Sequence, residues 1–359
     1  MAKLAIIGTT TWGLTLGKVL ASEDQQVQVW ARTEEEAEKL STLGPASEVF
    51  SGVIFPPQLS FTSSLEEALE GTKAVILAVP SQTMRQNISR LRKHLKKSLL
   101  IVSAAKGLEL WSNKRMSQVI AEEIDPDLWS NICVLSGPNL SREILQGLPA
   151  VTVVAAWTES VSKKAQRLLN TRSLCVYTNG DVVGVELGGA LKNIIALGAG
   201  MVDGLGYGDN ARAAFITRGL TEITALGVAL GANPLTLSGL AGLGDLIATC
   251  TSPLSRNHYV GVELTKGRPL RKILSTMVGV AEGVSTTAAA WSLAQQLGLG
   301  MPLTEKIYRV LYAGMDVRQA AEELMGAKTK HELAGRKWRL FSLFRRKHSE
   351  QPESTLAPR

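Results

Sequence analysis

Residues 3–7 form a short apolar run that ends at Gly8, and Thr9-Thr10-Thr11-Trp12-Gly13 then opens a helical pattern over 14–22. A second strand pattern over 27–30 completes a strand–helix–strand unit at the start of the chain. A glycine where a strand turns into a helix permits the tight turn, and a later one lets the helix pack closely on the sheet. The N–H groups of such a helix face an anion. Gly8 and Gly13 therefore read as a dinucleotide fingerprint with pyrophosphate at the helix N-terminus. Thr10 stands in place of the usual middle glycine. Either the turn tolerates a Cβ there, or the pyrophosphate sits farther out and takes a hydrogen bond from Thr9, Thr10 or Thr11.

The alternation continues. Helices are expected over 34–40, 65–70 (capped by Ser63 or Ser64 and ended by Gly71), 84–97 and 161–169, and strands over 74–79, 99–103, 132–135, 151–155 and 174–177. Residues 44–61, with Pro45, Pro56 and Pro57, read as irregular. The basic run Arg90, Arg92, Lys93, Lys96 and Lys97 reads as a solvated face. Past 180 strand patterns vanish, and helical stretches follow at 182–201, 210–230, 235–248, 269–276, 283–297 and 303–313. The fold class is α/β: an N-terminal Rossmann-like doubly wound sheet over 1–180, then an all-α substrate and dimerisation domain over 181–330. Residues 331–359 read as a basic, disordered tail.

With 359 residues the chain can bury two cores. Cys133, Cys175 and Cys250 lie far apart without metal-ligand spacing, which excludes a disulfide framework and points to no metal site. The strand pattern so close to Met1 leaves no room for a signal peptide. The apolar stretch 182–202 is broken by Glu186 and Lys192, so it reads as a core helix and not a membrane span. A cytoplasmic location is expected. The net charge of +7 owes most to segment 335–347, which holds six Lys and Arg and no acid, so no nucleic-acid partner is expected.

Lys192 is the residue with the most chemistry to explain. It falls in an apolar, glycine-rich helix, where a charge is costly to bury and a lysine pKa shifts readily enough for acid–base work. Gly188 and Gly189, four and three residues earlier, would let a ligand or second backbone approach it. A structural ion pair or a snorkelling lysine is the plain alternative. Three further polar segments stand out. Lys106 follows the strand at 99–103, where a ligand crevice lies in open α/β sheets, and it could contact a carbonyl or phosphate or simply be solvated. Asn139 in Ser136-Gly137-Pro138-Asn139 would cap a helix or help hold an anion. Asp245 ends a glycine-dense run, and Ser255-Arg256-Asn257 bundles a hydroxyl, a guanidinium and an amide suited to phosphate. Arg32, past the second strand, favours the 2′-phosphate of NADP(H), tempered by Glu34 and Glu35, with NAD(H) still open. A surface arginine in a turn is the plain alternative there.

On SGPNLSREILQGLPA (136–150), the glycine-rich run 184–220, GLAGLGDLIATCTSPLSRN (239–257), VAEG (280–283) and MPLTEKIYRVLY (301–312), the chain resembles the bacterial NAD(P)-dependent glycerol-3-phosphate dehydrogenases over residues 3–328. The resemblance implies reversible hydride transfer between NAD(P)H and dihydroxyacetone phosphate, giving sn-glycerol 3-phosphate for phospholipid synthesis, in a homodimer. It makes Lys192 the general acid/base. Lys106, Gly137, Asn139, Lys192, Asp245, Ser255, Arg256 and Asn257 would then hold substrate. Thr11, Trp12, Arg32, Lys106, Ser141, Arg256, Val280 and Glu282 would contact cofactor beside Gly8 and Gly13. Thr10, Asn139 (where Thr or Ala is frequent) and Ser141 (where Ala is usual) depart from the family pattern. The tail lies outside the resemblance; Trp338, Phe341 and Phe344 among its basic residues offer a contact with an acidic membrane surface, against plain disorder. Two rival readings are another two-domain hydroxyacid or sugar-acid dehydrogenase and a non-catalytic NADPH sensor or scaffold.

Overall fold

The computed structural model describes residues 2–23, 25–44 and 48–326. The tail 331–359, with its membrane-contact reading, and Pro45 lie outside the described residues. Met1–Ala321 forms one compact unit.

Eight strands make one sheet: β1 Lys3–Ile7, β2 Gln26–Trp30, β3 Leu59–Thr62, β4 Ala74–Leu77, β5 Leu100–Ser103, β6 Ile132–Ser136, β7 Ala150–Ala156 and β8 Leu174–Asn179. Their order is β3-β2-β1-β4-β5-β6-β7-β8, parallel throughout except where β7 runs antiparallel to β6. Helices α1 Thr11–Ala21, α2 Glu34–Leu43, α3 Leu65–Leu69, α4 Met84–Leu91, α5 Met116–Glu123, α6 Ser141–Leu145 and α7 Glu159–Leu169 connect them. Strand side chains alternate between two buried faces. Leu4 and Ile6 join one core, and Ala5 and Ile7 join the other.

One expectation fails here. Within 44–61, read as irregular, Leu59–Thr62 is a strand paired in register with Val27–Trp30. It is a four-residue edge strand just past Pro56 and Pro57, too short for its alternation to stand out. The helix expected over 84–97 ends at Leu91 and gives way to a short 3₁₀ turn, Arg92–His94, leaving the basic run exposed to solvent.

Beyond β8 the chain is helical: α8 Val182–Gly204, α9 Gly208–Ala229, α10 Pro234–Leu237, α11 Asp245–Thr251, α12 Arg256–Thr265, α13 Leu270–Thr276, α14 Glu282–Gln296, α15 Pro302–Tyr312 and α16 Val317–Met325. The Asp181 carboxylate caps α8 by accepting the Gly184 N–H at 2.8 Å. α8 is long and apolar enough to cross a bilayer, yet it is buried inside the fold, with α9, α11, α12, α14 and α15 packed round it. Its glycines explain the packing. A Cβ at Gly200 would overlap the His258 carbonyl, and one at Gly261 the Leu197 carbonyl, so α8 and α12 touch backbone to backbone.

The single helix expected over 235–248 is a further correction. It is broken into α10, a wide π turn over Leu240–Gly244, and α11. Gly242 lies so close to the Leu237 carbonyl that any side chain would displace it, and this close approach makes the break. Helix α12 did not stand out in the sequence either, because its polar start and Gly261 blur the apolar period.

Candidate active site

Lys192 lies halfway along α8 and is only 6% exposed. Gly188, one turn before it, abuts the π turn: a Cβ there would come within 2.6 Å of the Ala241 carbonyl oxygen. The second backbone that the small residues admit is therefore the protein's own, and it delivers Asp245 to Lys192. The Lys192 ammonium donates to Asp245 Oδ1 and to Thr249 Oγ1, the latter at 2.6 Å. Asp245 Oδ2 accepts from Lys106 Nζ at 2.7 Å, and Lys106 also donates to the Gly137 carbonyl at 2.7 Å. Lys106 comes from the loop after β5 and Gly137 from the loop after β6, where open α/β sheets place ligands.

Two ammonium groups thus share one carboxylate, and the cluster keeps a positive charge suited to an anionic substrate. Burial pulls the Lys192 ammonium down to about 8, against Asp245, which favours the charged form, and with Lys106, which disfavours it. An amine poised there can give or take a proton near neutrality.

The N-terminus of α12 supplies the next groups. Ser255 caps it, its hydroxyl accepting the His258 N–H at 3.2 Å, which leaves that hydroxyl free to donate. The Arg256 guanidinium makes no hydrogen bond among the described residues. Gly279, at φ 85°, gives it room, since a Cβ there would overlap Nη1. Asn257 is placed beside them but is engaged at both ends. It donates to Asn193 Oδ1 and accepts the Gly283 N–H, each at 2.9 Å, and so fastens α8 to α14. Asn193 also donates weakly to the Lys106 carbonyl at 3.4 Å. Glu282 opens α14. Its carboxylate accepts the Ser81 N–H at 2.9 Å and the Ser81 hydroxyl, while burial raises its pKa. Val280 nearby is half-exposed.

Asn139 does not cap α6. The cap position is Leu140, and the Asn139 amide turns back to donate to the Val151 carbonyl at 3.1 Å and to accept from Thr152 at 3.0 Å. That bracing of β7 engages both ends of the Asn139 amide. Ser141 is the first residue of α6 and partly exposed.

Along the same carboxyl edge of the sheet, after β1 and two strands from β5, Gly8 takes φ 116°, and a Cβ there would press to 2.7 Å from the Ala78 carbonyl oxygen. Thr10 resolves the missing glycine. Its φ of −68° suits any residue, and it caps α1 by accepting the Gly13 N–H at 3.1 Å while donating to the Ala78 carbonyl at 2.6 Å. The turn tolerates the Cβ. Thr9 donates to Glu36 Oε1 at 2.6 Å, whereas the Thr11 hydroxyl has no partner among the described residues. The Trp12 indole N–H is buried and also unpartnered. A positive-φ glycine, a close-packed helix N-terminus and an orphaned donor fit a dinucleotide pyrophosphate. Arg32 is exposed.

Thr249 and Ser81 escaped the sequence reading. Thr249 had a signal, being four residues after Asp245 on one helix face. Ser81 had none, because its partner is Glu282, distant in sequence. Among the described residues no His, Cys, Asp and Glu group could hold a metal ion.

The family described as NAD-dependent glycerol-3-phosphate dehydrogenase matches this chain through its N-terminal part over residues 3–162 and its C-terminal part over 181–322. A glycerol-3-phosphate dehydrogenase [NAD(P)+] of Dehalococcoides mccartyi is 61% identical over 352 residues, covering 98% of each chain. One from Geobacter metallireducens is 46% identical over 336 residues, covering 92% of this chain and 98% of its own. The crystal structure of glycerol-3-phosphate dehydrogenase from Coxiella burnetii superposes with a TM-score of 0.85 at 35% identity, covering 90% of this chain and 98% of that one.

Proposed function

This chain belongs to the NAD-dependent glycerol-3-phosphate dehydrogenase family, and from that premise we propose that it interconverts dihydroxyacetone phosphate and sn-glycerol 3-phosphate. The observation that carries this reading is the buried Lys192–Asp245–Lys106 cluster, set between the strand ends and the π turn.

The Gly8–Gly13 loop would hold a nicotinamide dinucleotide, which would supply the hydride in one direction and accept it in the other. Reduction places negative charge on the ketone oxygen. Protonated Lys192 donates its proton to that oxygen and takes it back during oxidation. Lys106 stabilises the developing charge from the sheet side. Asp245 keeps both ammonium groups in place. Arg256, with the Ser255 hydroxyl, clamps the phosphate and so orients the carbon that reacts. Asn257 acts chiefly by holding α8, α12 and α14 in register, with one amide N–H left for substrate. Glu282 ties α14 to the loop after β4 through Ser81.

The division at 180/181 then separates a nucleotide-holding part from a substrate-holding part within one compact unit. Arg32 supports NADP(H) as the preferred cofactor, NAD(H) being usable. We propose a homodimer in the cytoplasm, feeding glycerophospholipid synthesis, with the tail making no lasting membrane contact. Following nicotinamide absorbance with dihydroxyacetone phosphate tests the function. Oxidation of NADPH with that ketone supports it; turnover only with unphosphorylated 2-oxoacids, or none with any ketone, contradicts it.

A further inference from the structure

We propose that Glu36 is a determinant of dinucleotide choice that opposes Arg32: its carboxylate stands at the adenosine-ribose position, accepts the ribose 2′-hydroxyl and disfavours a 2′-phosphate. This rests on the reading of Gly8–Gly13 as the dinucleotide loop.

In a doubly wound sheet that ribose lies between the first strand-to-helix turn and the end of the second strand, and an acid from the strand end selects the unphosphorylated nucleotide. Here β2 ends at Trp30 and is followed by Ala31, Arg32 and Thr33, with no acid. The acid comes from the first turn of α2 instead. Thr33 caps α2 by accepting the Glu36 N–H at 3.2 Å, and the Glu36 side chain folds back over the strand end. Oε2 accepts the Arg32 backbone N–H at 3.1 Å, and Oε1 accepts the Thr9 hydroxyl at 2.6 Å. Thr9 is the second residue of the glycine loop. One carboxylate therefore joins the two walls between which the ribose would sit.

A carboxylate offers about four lone-pair sites, so each oxygen can accept a ribose hydroxyl while keeping its protein partner. A phosphate at the same place would meet a fixed negative charge. Glu34 and Glu35 do not compete for this role. Glu34 is engaged by the Ser63 hydroxyl, and Glu35, in the same turn, is exposed, whereas Thr9 and Arg32 both bond Glu36. The Arg32 side chain, exposed and without a hydrogen bond among the described residues, is free to swing toward a phosphate and offset the repulsion. The pair gives a chain that takes both nucleotides.

The test is to measure dissociation constants of the full chain for NADPH and NADH by nicotinamide fluorescence, before and after Glu36→Gln. NADPH should bind about tenfold tighter and NADH no tighter. Thr9→Val, which frees the carboxylate without removing its charge, should raise the same ratio by less, and it carries the comparison if Glu36→Gln fails to fold. A Glu36 that merely braces the loop would weaken both nucleotides by one factor, and an equal change or no change in the ratio overturns the proposal. If the unmodified chain binds neither nucleotide, the dehydrogenase reading itself falls, and this one with it.

Discussion

Lys192 and Asp245 form an ion pair between α8 and α11 with almost no solvent around either, at 6% and 1% exposure. Such a pair is costly to break from one side, because the remaining charge keeps its desolvation penalty. Asp245→Asn should destabilise the fold by about 3–5 kcal/mol, read from denaturant midpoints. Asp245 also favours the charged form of Lys192. Its loss should therefore move the pH profile of ketone reduction to lower pH.

The pH dependence of the unmodified chain follows from the same pair. Burial sets the Lys192 ammonium at about 8. Ketone reduction needs the protonated form, so its kcat should fall as pH rises through that value. Oxidation of the alcohol needs the neutral amine and should rise through it. Two opposite profiles crossing in that region are expected from steady-state rates in both directions.

Gly188 sets the distance between α8 and the π turn. Gly188→Ala places a Cβ within 2.6 Å of the Ala241 carbonyl oxygen, and backbone must move to relieve it. Overpacking of this kind costs about 1–3 kcal/mol. Asp245 follows the π turn directly, so kcat should fall along with the melting temperature. A loss of stability with kcat intact would show that the turn does not position Asp245.

Arg256 has its guanidinium free of hydrogen bonds among the described residues, and Gly279 makes room for it. Arg256→Lys keeps the charge but loses the planar fork. A hydrogen bond to a charged group contributes about 1.5–3 kcal/mol, so KM for dihydroxyacetone phosphate should rise roughly 10- to 100-fold. Saturation kinetics at fixed NADPH would measure it.

Much of this was legible in the chain. Short continuous apolar runs mark seven of the eight strands, because a sheet buried on both faces leaves continuous hydrophobic segments. Leu59–Thr62 was hidden by its edge position and by the prolines before it. Lys192, Lys106 and Asp245 were each conspicuous as charges next to glycine or apolar residues, and the fold brings them together. What the sequence did not disclose was how polar groups would be spent. Asn139 could have capped a helix, yet β7 lies near enough to claim its amide. Asn257 looked like a phosphate ligand, yet the glycine-mediated contact of α8 with α12 and α14 engages it in packing. Glu36 was one acid among several until Thr9 and Arg32 converged on it. Tertiary partners of that kind leave no local trace.

The most direct test of the account is the Lys192→Ala variant, assayed for NADPH-dependent reduction of dihydroxyacetone phosphate and, in parallel, for NADPH binding by fluorescence. Loss of a general acid should lower kcat by roughly 10²- to 10⁴-fold while leaving the NADPH dissociation constant nearly unchanged. Weakened NADPH binding, with turnover restored at high NADPH, would contradict the proton-transfer role.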